Sequence, residues 1–365
     1  MDTINPNISR ITIKGYKSIK QCDVAFGKTN VLIGSNGAGK TNFVSVFTLL
    51  KNLLNENLQI YVARCGMNAL LYHGRKITDE LSVGVVFGEY SYHFTLIPTD
   101  DNRLFVKDEF FGSHHRTERY PISTASYEAK WRSGSGETID AILVPVLQQQ
   151  RWNVYHFHDT GRDARVKQEH NISNNQVLME DAGNLAAYLL RLKRGYPKHY
   201  GEIISAVQTV APFFSDFILE PQDENREQIV LRWKQKGCED VFNASQMSDG
   251  TLRFACLATL LLQPPELQPR TIIIDEPELG LHPYAISIFA EMVRQLSDKR
   301  QTILSTQSVE LLNEFNVEDV LVVERGASGS QFKRLSQTEL NVWLEEDYTL
   351  GELWQKNILG GRLSK

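Results

Sequence analysis

Residues 34–41 read Gly-Ser-Asn-Gly-Ala-Gly-Lys-Thr, and this stretch decides the fold. The apolar run 30–33 before it is of strand type, and the sequence from Lys40 onward has the pattern of an amphipathic helix. A strand, a glycine-rich turn and a helix start place backbone N–H groups around one anion. In such a phosphate-binding loop (P-loop) the lysine contacts the β- and γ-phosphates, and the Thr41 hydroxyl ligates Mg²⁺. We therefore predict a nucleoside triphosphate site made by Asn36, Gly37, Ala38, Gly39, Lys40, Thr41 and Asn42.

A second motif lies far downstream, where the continuous apolar run 271–274 ends in Asp275-Glu276. Such a run is typical of a buried parallel strand. An aspartate at the carboxyl end of that strand is predicted to hold Mg²⁺, directly or through water. Glu276 is then placed to polarise the attacking water as general base. The two motifs together predict nucleotide hydrolysis.

A third motif, Met247-Ser-Asp-Gly250, precedes an apolar helix pattern. Alone, Ser-Asp-Gly before a helix is an ordinary N-cap, and that reading stays open. Between the first two motifs it resembles the signature motif of the ATP-binding-cassette (ABC) superfamily. That resemblance implies that Ser248, Asp249 and Gly250 contact the γ-phosphate bound by the P-loop of a partner subunit, again through a helix N-terminus.

Residues 8–325 as a whole resemble the RecF/SMC-like, OLD-type ATPases, most closely their stand-alone "predicted ATPase" branch, with an AAA-type P-loop domain. Three further stretches support the resemblance, namely 275–283, Leu304-Ser-Thr-Gln-Ser308 and the tail 350–362. It implies ATP and Mg²⁺ as cofactors. It also implies an α/β fold, an ABC/SMC-like head with a mostly parallel P-loop core sheet, an antiparallel β lobe and a helical lobe.

The resemblance also assigns roles to single residues. Glu278 to His282 would form the D-loop along a dimer interface, although His282 also fits a core residue that starts a helix beside Pro283. Gln307 stands where many relatives carry histidine; it can hydrogen-bond a γ-phosphate or a water but cannot carry a proton charge. We therefore count Gln307 with Glu276 as a catalytic residue and expect slow turnover.

Gln148-Gln149-Gln150 lies where such proteins have the Q-loop glutamine that ligates Mg²⁺. Gln149 is our candidate, but the spacing does not choose among the three. A polar strand end explains them equally well.

The organisation that follows has four parts. Residues 1–150 form an ATP-binding lobe, 151–240 a helical lobe, 241–330 the signature, Walker B, D-loop and switch part of the core, and 331–365 a C-terminal extension. Alternating polarity predicts strands at 81–97 and 103–111, and a helical period predicts helices from about 176 to 215. The absence of sustained heptads argues against a coiled-coil arm.

Composition limits the function classes. The 365-residue chain has a net charge of −5, so no global field draws it to nucleic acid. Its apolar runs are too short to span a membrane, and its four cysteines are scattered, as reduced thiols in a cytoplasmic protein would be.

Three functions remain. The first is an ATP-gated sensor or scaffold that dimerises around ATP, as a homodimer or a higher oligomer of dimers. It would control a separately encoded effector, a nuclease or toxin, in antiviral defence against phage. The second is a RecF-like repair and recombination clamp that binds DNA in an ATP-dependent way. The third is a stand-alone soluble ATPase with a small-molecule role. The acidic charge and the lack of a recognisable DNA-binding module in the sequence favour the first over the second.

Overall fold

The computed structural model describes residues 7–113, 119–131, 147, 151–222, 225–344 and 348–361. The chain divides into two compact units. The first unit comprises residues 1–154, 269–273 and 299–365, and the second comprises residues 155–268 and 274–298.

The described residues form strands and helices as follows. The strands are β1 (Ile8–Tyr16), β2 (Ile19–Ala25), β3 (Thr29–Ile33), β4 (Leu81–Phe87), β5 (Tyr90–Pro98), β6 (Leu104–Ser113), β7 (Arg119–Ser126), β8 (Val154–Tyr155), β9 (His170–Asn171), β10 (Phe214–Ile218), β11 (Gln228–Ile229), β12 (Arg232–Gln235), β13 (Val241–Asn243), β14 (Thr271–Asp275), β15 (Gln301–Thr306), β16 (Val320–Gly326) and β17 (Gly329–Arg334). The helices are α1 (Lys40–Leu54), α2 (Leu58–Cys65), α3 (Met67–Leu70), α4 (Leu185–Gly195), α5 (Pro197–Val210), α6 (Asp249–Leu262), α7 (Pro283–Leu296), α8 (Val309–Leu312), α9 (Gln337–Leu344) and α10 (Leu350–Gln355).

The sheet that carries the P-loop has the strand order β17-β16-β3-β15-β14-β8. Strand β3 pairs in parallel with β15 on one side and β16 on the other, so that Ile33 lies opposite both Thr306 and Val322. All five residues of β3 and of β14 are buried. Strands covered on both faces lose the alternation of polar and apolar residues, which is why both read as continuous apolar runs.

The second sheet of the first unit is antiparallel, in the order β2-β1-β4-β5-β6-β7. In β1 the buried Ile11 and Ile13 alternate with more exposed neighbours, as expected for a strand with one face on a core. Phe43 and Phe47 of α1 belong to the same hydrophobic core. The predicted strands at 81–97 and 103–111 are confirmed, the first being split by a turn at Gly88.

The second unit contains α4 to α7 and two small sheets, β10-β12-β13 and β11-β9. The predicted helices are present as α4 and α5. The sequence pattern did not predict strands β10, β12 and β13, which hold a stack of Phe214, Trp233 and Phe242 with ring centroids 6.2 and 5.0 Å apart. Among the described residues no helix is long and apolar enough to cross a membrane.

Candidate nucleotide site

The P-loop joins β3 to α1 as predicted: the strand ends at Ile33, residues 34–39 form the turn, and the helix begins at Lys40. Its N-cap is Gly39, with a left-handed φ of 117°, and no described side chain caps the helix start. The helix start is therefore not occupied by a side-chain cap among the described residues, and the helix dipole favours an anion there. The structure thus provides the backbone cradle that the sequence predicted.

Lys40 is positioned by the loop itself. Its side chain is only 5 % exposed, and its ammonium donates to the carbonyl oxygens of Gly34 at 2.6 Å and Ser35 at 3.3 Å. The charge is therefore solvated by the same loop that would hold phosphate, which lowers the cost of burying it.

The far side of the P-loop rests on residues from distant parts of the chain. Ser330 Oγ donates to the Ala38 carbonyl at 2.6 Å and shares a 2.8 Å hydrogen bond with Ser18 Oγ, which accepts from Asn42 Nδ2 at 2.8 Å. A Cβ atom at Gly39 would lie 2.0 Å from Ser330 Oγ, so only glycine fits there. Sequence reasoning missed Ser18 and Ser330, because nothing local marks a serine that supports a loop 292 positions away.

A cavity of about 800 Å³ in the first unit is lined by Asn42 and Ser18 and so adjoins the start of α1. None of the described residues that line it is acidic. Burial lowers the pKa of Lys17, whose ammonium donates to Ser45 Oγ at 2.8 Å. The cavity therefore presents cationic and polar groups suited to an anionic or polar ligand. Its basic lining residues are Lys17, His73, Arg75, Lys76 and Arg325.

Gln307 follows β15 directly and is exposed. Because Thr306 lies opposite Ile33, the register places Gln307 at the edge of the sheet where the P-loop begins. The next residue, Ser308, caps α8 by accepting from the Leu311 amide at 3.1 Å. The fold thus brings the predicted switch residue and the P-loop to one edge of the first unit.

In the second unit, β14 ends in Asp275, as predicted for a Walker B strand. Asp275 is 5 % exposed, and its buried Oδ1 has no hydrogen-bond partner among the described residues. An orphaned buried carboxylate oxygen is costly unless a cation satisfies it, so this residue fits a magnesium ligand. His158 Nε2 donates to the Asp275 carbonyl at 2.8 Å, a support that the sequence did not reveal.

Glu276, the predicted general base, has a left-handed φ of 47°. For a residue other than glycine this conformation is uncommon, and residues with strained backbones cluster at active sites and ligand clamps. Glu276 therefore has the local geometry of a functional residue.

The signature segment forms the start of α6. Ser248 is the N-cap and accepts from the Thr251 amide at 3.2 Å, and Lys167 pairs with Asp249 at 3.4 Å. The ordinary N-cap is thus present, whatever else the segment does. Ser248 and Asp249 are exposed, which leaves the helix start open to a ligand.

Arg253, one turn further along α6, was not singled out by the sequence. Its guanidinium donates to Leu279 O at 3.1 Å, His158 O at 2.9 Å and Thr160 Oγ1 at 3.0 Å. A Cβ atom at Gly280 would lie 1.9 Å from Arg253 Nη1, so the glycine makes room for the guanidinium. Arg253 thereby ties the signature helix to the predicted D-loop. Only its place after the signature could have pointed to it.

The predicted D-loop residues lie between β14 and α7. The Glu278 carbonyl accepts from the Leu281 amide at 3.0 Å, and His282 is the N-cap of α7, accepting from the Tyr284 amide at 3.3 Å through Nδ1. His282 is exposed, so it starts a helix but is not a core residue, which corrects that alternative. The third predicted magnesium ligand, Gln149, lies with Gln148 and Gln150 outside the described residues.

The fold and these motifs define a P-loop domain with the fold of an SMC head. The family described as "AAA domain, putative AbiEii toxin, Type IV TA system" matches residues 29–313, and the chain belongs to that family. The predicted AAA-type P-loop domain and the predicted SMC-like head fold are both confirmed. No curated protein matches the sequence.

Solved structures of SMC heads have the same fold. An SMC head bound to the C-terminal winged-helix domain of ScpA is 15 % identical, with a TM-score of 0.61, covering 92 % of this chain and 99 % of that one. The Pyrococcus furiosus head with an extended coiled coil, bound to the C-terminal domain of ScpA, is 16 % identical, with a TM-score of 0.60 and coverage of 93 % and 99 %. The Pyrococcus yayanosii head with a coiled coil and joint is 12 % identical, with a TM-score of 0.54 and coverage of 93 % and 99 %. At these identities the likeness establishes the fold.

Proposed function

We propose that the protein binds ATP with Mg²⁺, hydrolyses it slowly, and dimerises around it to control a separately encoded effector. The observation that carries ATP binding is the glycine-capped start of α1 with the buried Lys40 beside it. The first amides of α1 receive phosphate oxygens, and the Lys40 ammonium contacts the β- and γ-phosphates. The basic cavity next to Asn42 receives the rest of the nucleotide.

The hydrolytic chemistry is assigned to four residues. Thr41 and Asp275 would hold Mg²⁺, which when bound neutralises charge on the β- and γ-phosphate oxygens. Glu276 accepts a proton from the attacking water. Gln307 donates a hydrogen bond to the γ-phosphate or orients the water, with less charge stabilisation than a protonated histidine would give.

Dimerisation is supported by the exposed surface around the signature and D-loop. The N-cap Ser248 and its neighbour Asp249 face solvent. Two apolar side chains, Leu279 in the D-loop and Tyr284 just after it, are 42 % and 53 % exposed. A helix N-terminus open to solvent is suited to a phosphate from outside its own unit. We infer that Ser248 and Gly250 of one subunit close over the nucleotide at Lys40 of the other.

The biological role rests on the family and on charge. The family description names a "putative" toxin of a type IV TA (toxin–antitoxin) system, which supports action together with a second gene product. The SMC heads bound to ScpA domains show that a head of this fold is able to bind a separate protein. The net charge of −5 disfavours a clamp held on DNA by a general electrostatic field.

ATP binding is tested by equilibrium titration of the wild-type protein and of Lys40→Ala. Loss of a charge that contacts two phosphates should weaken binding by about 100-fold. Lys51→Ala, on the same helix, is the matched control and should bind as the wild type does. Equal affinity of Lys40→Ala and wild type would refute the proposed site.

Dimerisation is tested by sedimentation of Glu276→Gln, which retains ATP, with and without Mg-ATP. We expect a dimer only with Mg-ATP, and a monomer in both conditions when Ser248→Arg is added. A Glu276→Gln protein that sediments as a monomer both with and without Mg-ATP contradicts the dimer. The wild-type protein is also assayed for ATP hydrolysis with DNA and with the product of a neighbouring gene. A rate that rises with DNA but not with that gene product would favour the DNA repair clamp over control of a separate effector.

A further inference from the structure

The C-terminal segment 349–361 folds back onto the strand that leads into the P-loop. Thr349 caps α10 in a reciprocal pair with Glu352, whose amide donates to Thr349 Oγ1 at 3.2 Å. Trp354 and Leu359 belong to a hydrophobic cluster that includes Ile33, the residue before the loop. The segment is therefore anchored in the core of the first unit and not only at its surface.

After α10 the chain reaches Gly360 and Gly361, and Gly361 both donates and accepts a hydrogen bond. The Gly361 amide donates to Glu324 Oε1, and the Gly361 carbonyl accepts from the Ser35 amide of the P-loop at 3.0 Å. Both glycines are left-handed, with φ of 80° and 81°. Cβ atoms would lie 2.0 Å from Glu324 Oε1 at Gly360 and 2.7 Å from Trp354 at Gly361, so both positions require glycine.

The hydrogen bond from the Ser35 amide to Gly361 also affects the position of Lys40. The Ser35 amide N–H and the Gly34 carbonyl belong to one planar peptide group. Its N–H is held by Gly361, and its carbonyl accepts from the Lys40 ammonium at 2.6 Å. The C-terminal segment and Lys40 therefore hold the same planar peptide group, one at its N–H and the other at its carbonyl oxygen.

We propose that the Gly360-Gly361 turn is a positioning element of the nucleotide site, which orients the Gly34–Ser35 peptide and through it Lys40. Without the turn, that peptide has no acceptor and rotates more freely, so that ATP must order the loop as it binds. Loss of the turn should therefore weaken the affinity for ATP and leave the rate of the hydrolytic step unchanged. This inference rests on ATP binding at the P-loop as proposed above.

The test compares Gly361→Ala, Glu324→Ala and Glu324→Gln with the wild type, measuring the ATP dissociation constant, KM, kcat and thermal midpoint. We expect Gly361→Ala to raise Kd and KM about tenfold, equivalent to about 1.4 kcal/mol, with kcat nearly unchanged. Glu324→Ala should give a smaller rise, and Glu324→Gln should stay near wild type because its amide oxygen still accepts from Gly361.

The matched control is Gly237→Ala, at a glycine with a φ of 73° and no neighbouring atom within 4 Å of an added Cβ. It incurs the same backbone cost without touching the P-loop and should leave Kd unchanged. Wild-type Kd in Gly361→Ala, with hydrogen exchange showing residues 349–361 released, overturns the proposal. If Gly361→Ala fails to fold, equal Kd for the two Glu324 variants and the wild type overturns it, and weaker binding by Glu324→Ala alone supports it. Failure of the wild type itself to bind ATP would refute the proposed function instead.

Discussion

The P-loop and the signature segment are both helix starts, but they are held in place in opposite ways. The P-loop has no side-chain cap of its own among the described residues and rests on Ser330, Ser18 and Gly361, which are far away in the sequence. The signature helix is capped locally by Ser248 and tied to the D-loop by one long side chain, Arg253.

The difference follows from what each segment would bind. A loop that wraps phosphate needs its own amides free, so its support has to come from elsewhere in the fold. A helix start that meets a ligand from outside its own unit is able to keep a local cap and needs mainly the correct orientation. The P-loop can thus be recognised from its own residues. The signature can be recognised only from its position between the P-loop and the Asp275 strand.

The largest effect is expected from Glu276→Gln, which separates binding at the P-loop from hydrolysis. Removing a general base typically costs about 10²- to 10⁴-fold in rate, while the phosphate contacts remain. Turnover should therefore fall by about that factor, with ATP affinity unchanged. The measurement is steady-state phosphate release together with equilibrium binding. Hydrolysis at the wild-type rate would show that Glu276 is not the base.

A smaller effect, confined to the signature side, is expected from Arg253→Met. The change leaves the carbonyls of Leu279 and His158 without their donor, so the D-loop is no longer fixed to α6. We expect the ATP-driven dimer to weaken about tenfold, equivalent to about 1.4 kcal/mol, with monomer affinity for ATP unchanged. The assays are sedimentation at several protein concentrations and nucleotide titration.

The control for Arg253→Met is Arg294→Met, which removes an exposed arginine paired with Glu291 on α7. Such surface pairs contribute about 0–1 kcal/mol, so dimer affinity should hardly change. A dimer equally weakened by both substitutions would mean that Arg253 has no special role. The proposed difference between the P-loop, supported by distant residues, and the signature helix, oriented by Arg253, would then not hold.

The smallest effect is expected from Gln307→His at the P-loop edge. We expect the wild type to turn over below about one ATP per second, the low end for ordinary enzymes. A histidine able to carry charge should raise that rate or leave it unchanged. The two rates are compared at saturating Mg-ATP. A fast wild-type ATPase whose rate falls strongly in Gln307→His would show that glutamine itself is suited to catalysis. It would also exclude the slow turnover that we expect.

Much of the fold and of the candidate site was predictable because the relevant physics is local. The burial of β3 and β14 shows as apolar runs, and the glycines and lysine of residues 34–41 are needed wherever a chain wraps phosphate. Strands β10, β12 and β13 were not predicted. They are short, and their aromatic residues pack on one another without a regular alternation.

The sequence alone determined the P-loop, the acidic end of β14 and the capped start of α6, because each depends on residues adjacent in the chain. Only the tertiary structure decided that Ser330 and Gly361 support the P-loop and that Arg253 joins the signature helix to the D-loop. A serine hydroxyl, a glycine carbonyl and an arginine guanidinium that act in this way have no distinctive pattern in sequence. Their partners are chosen by how strands and helices pack, so their roles appear only when distant segments meet.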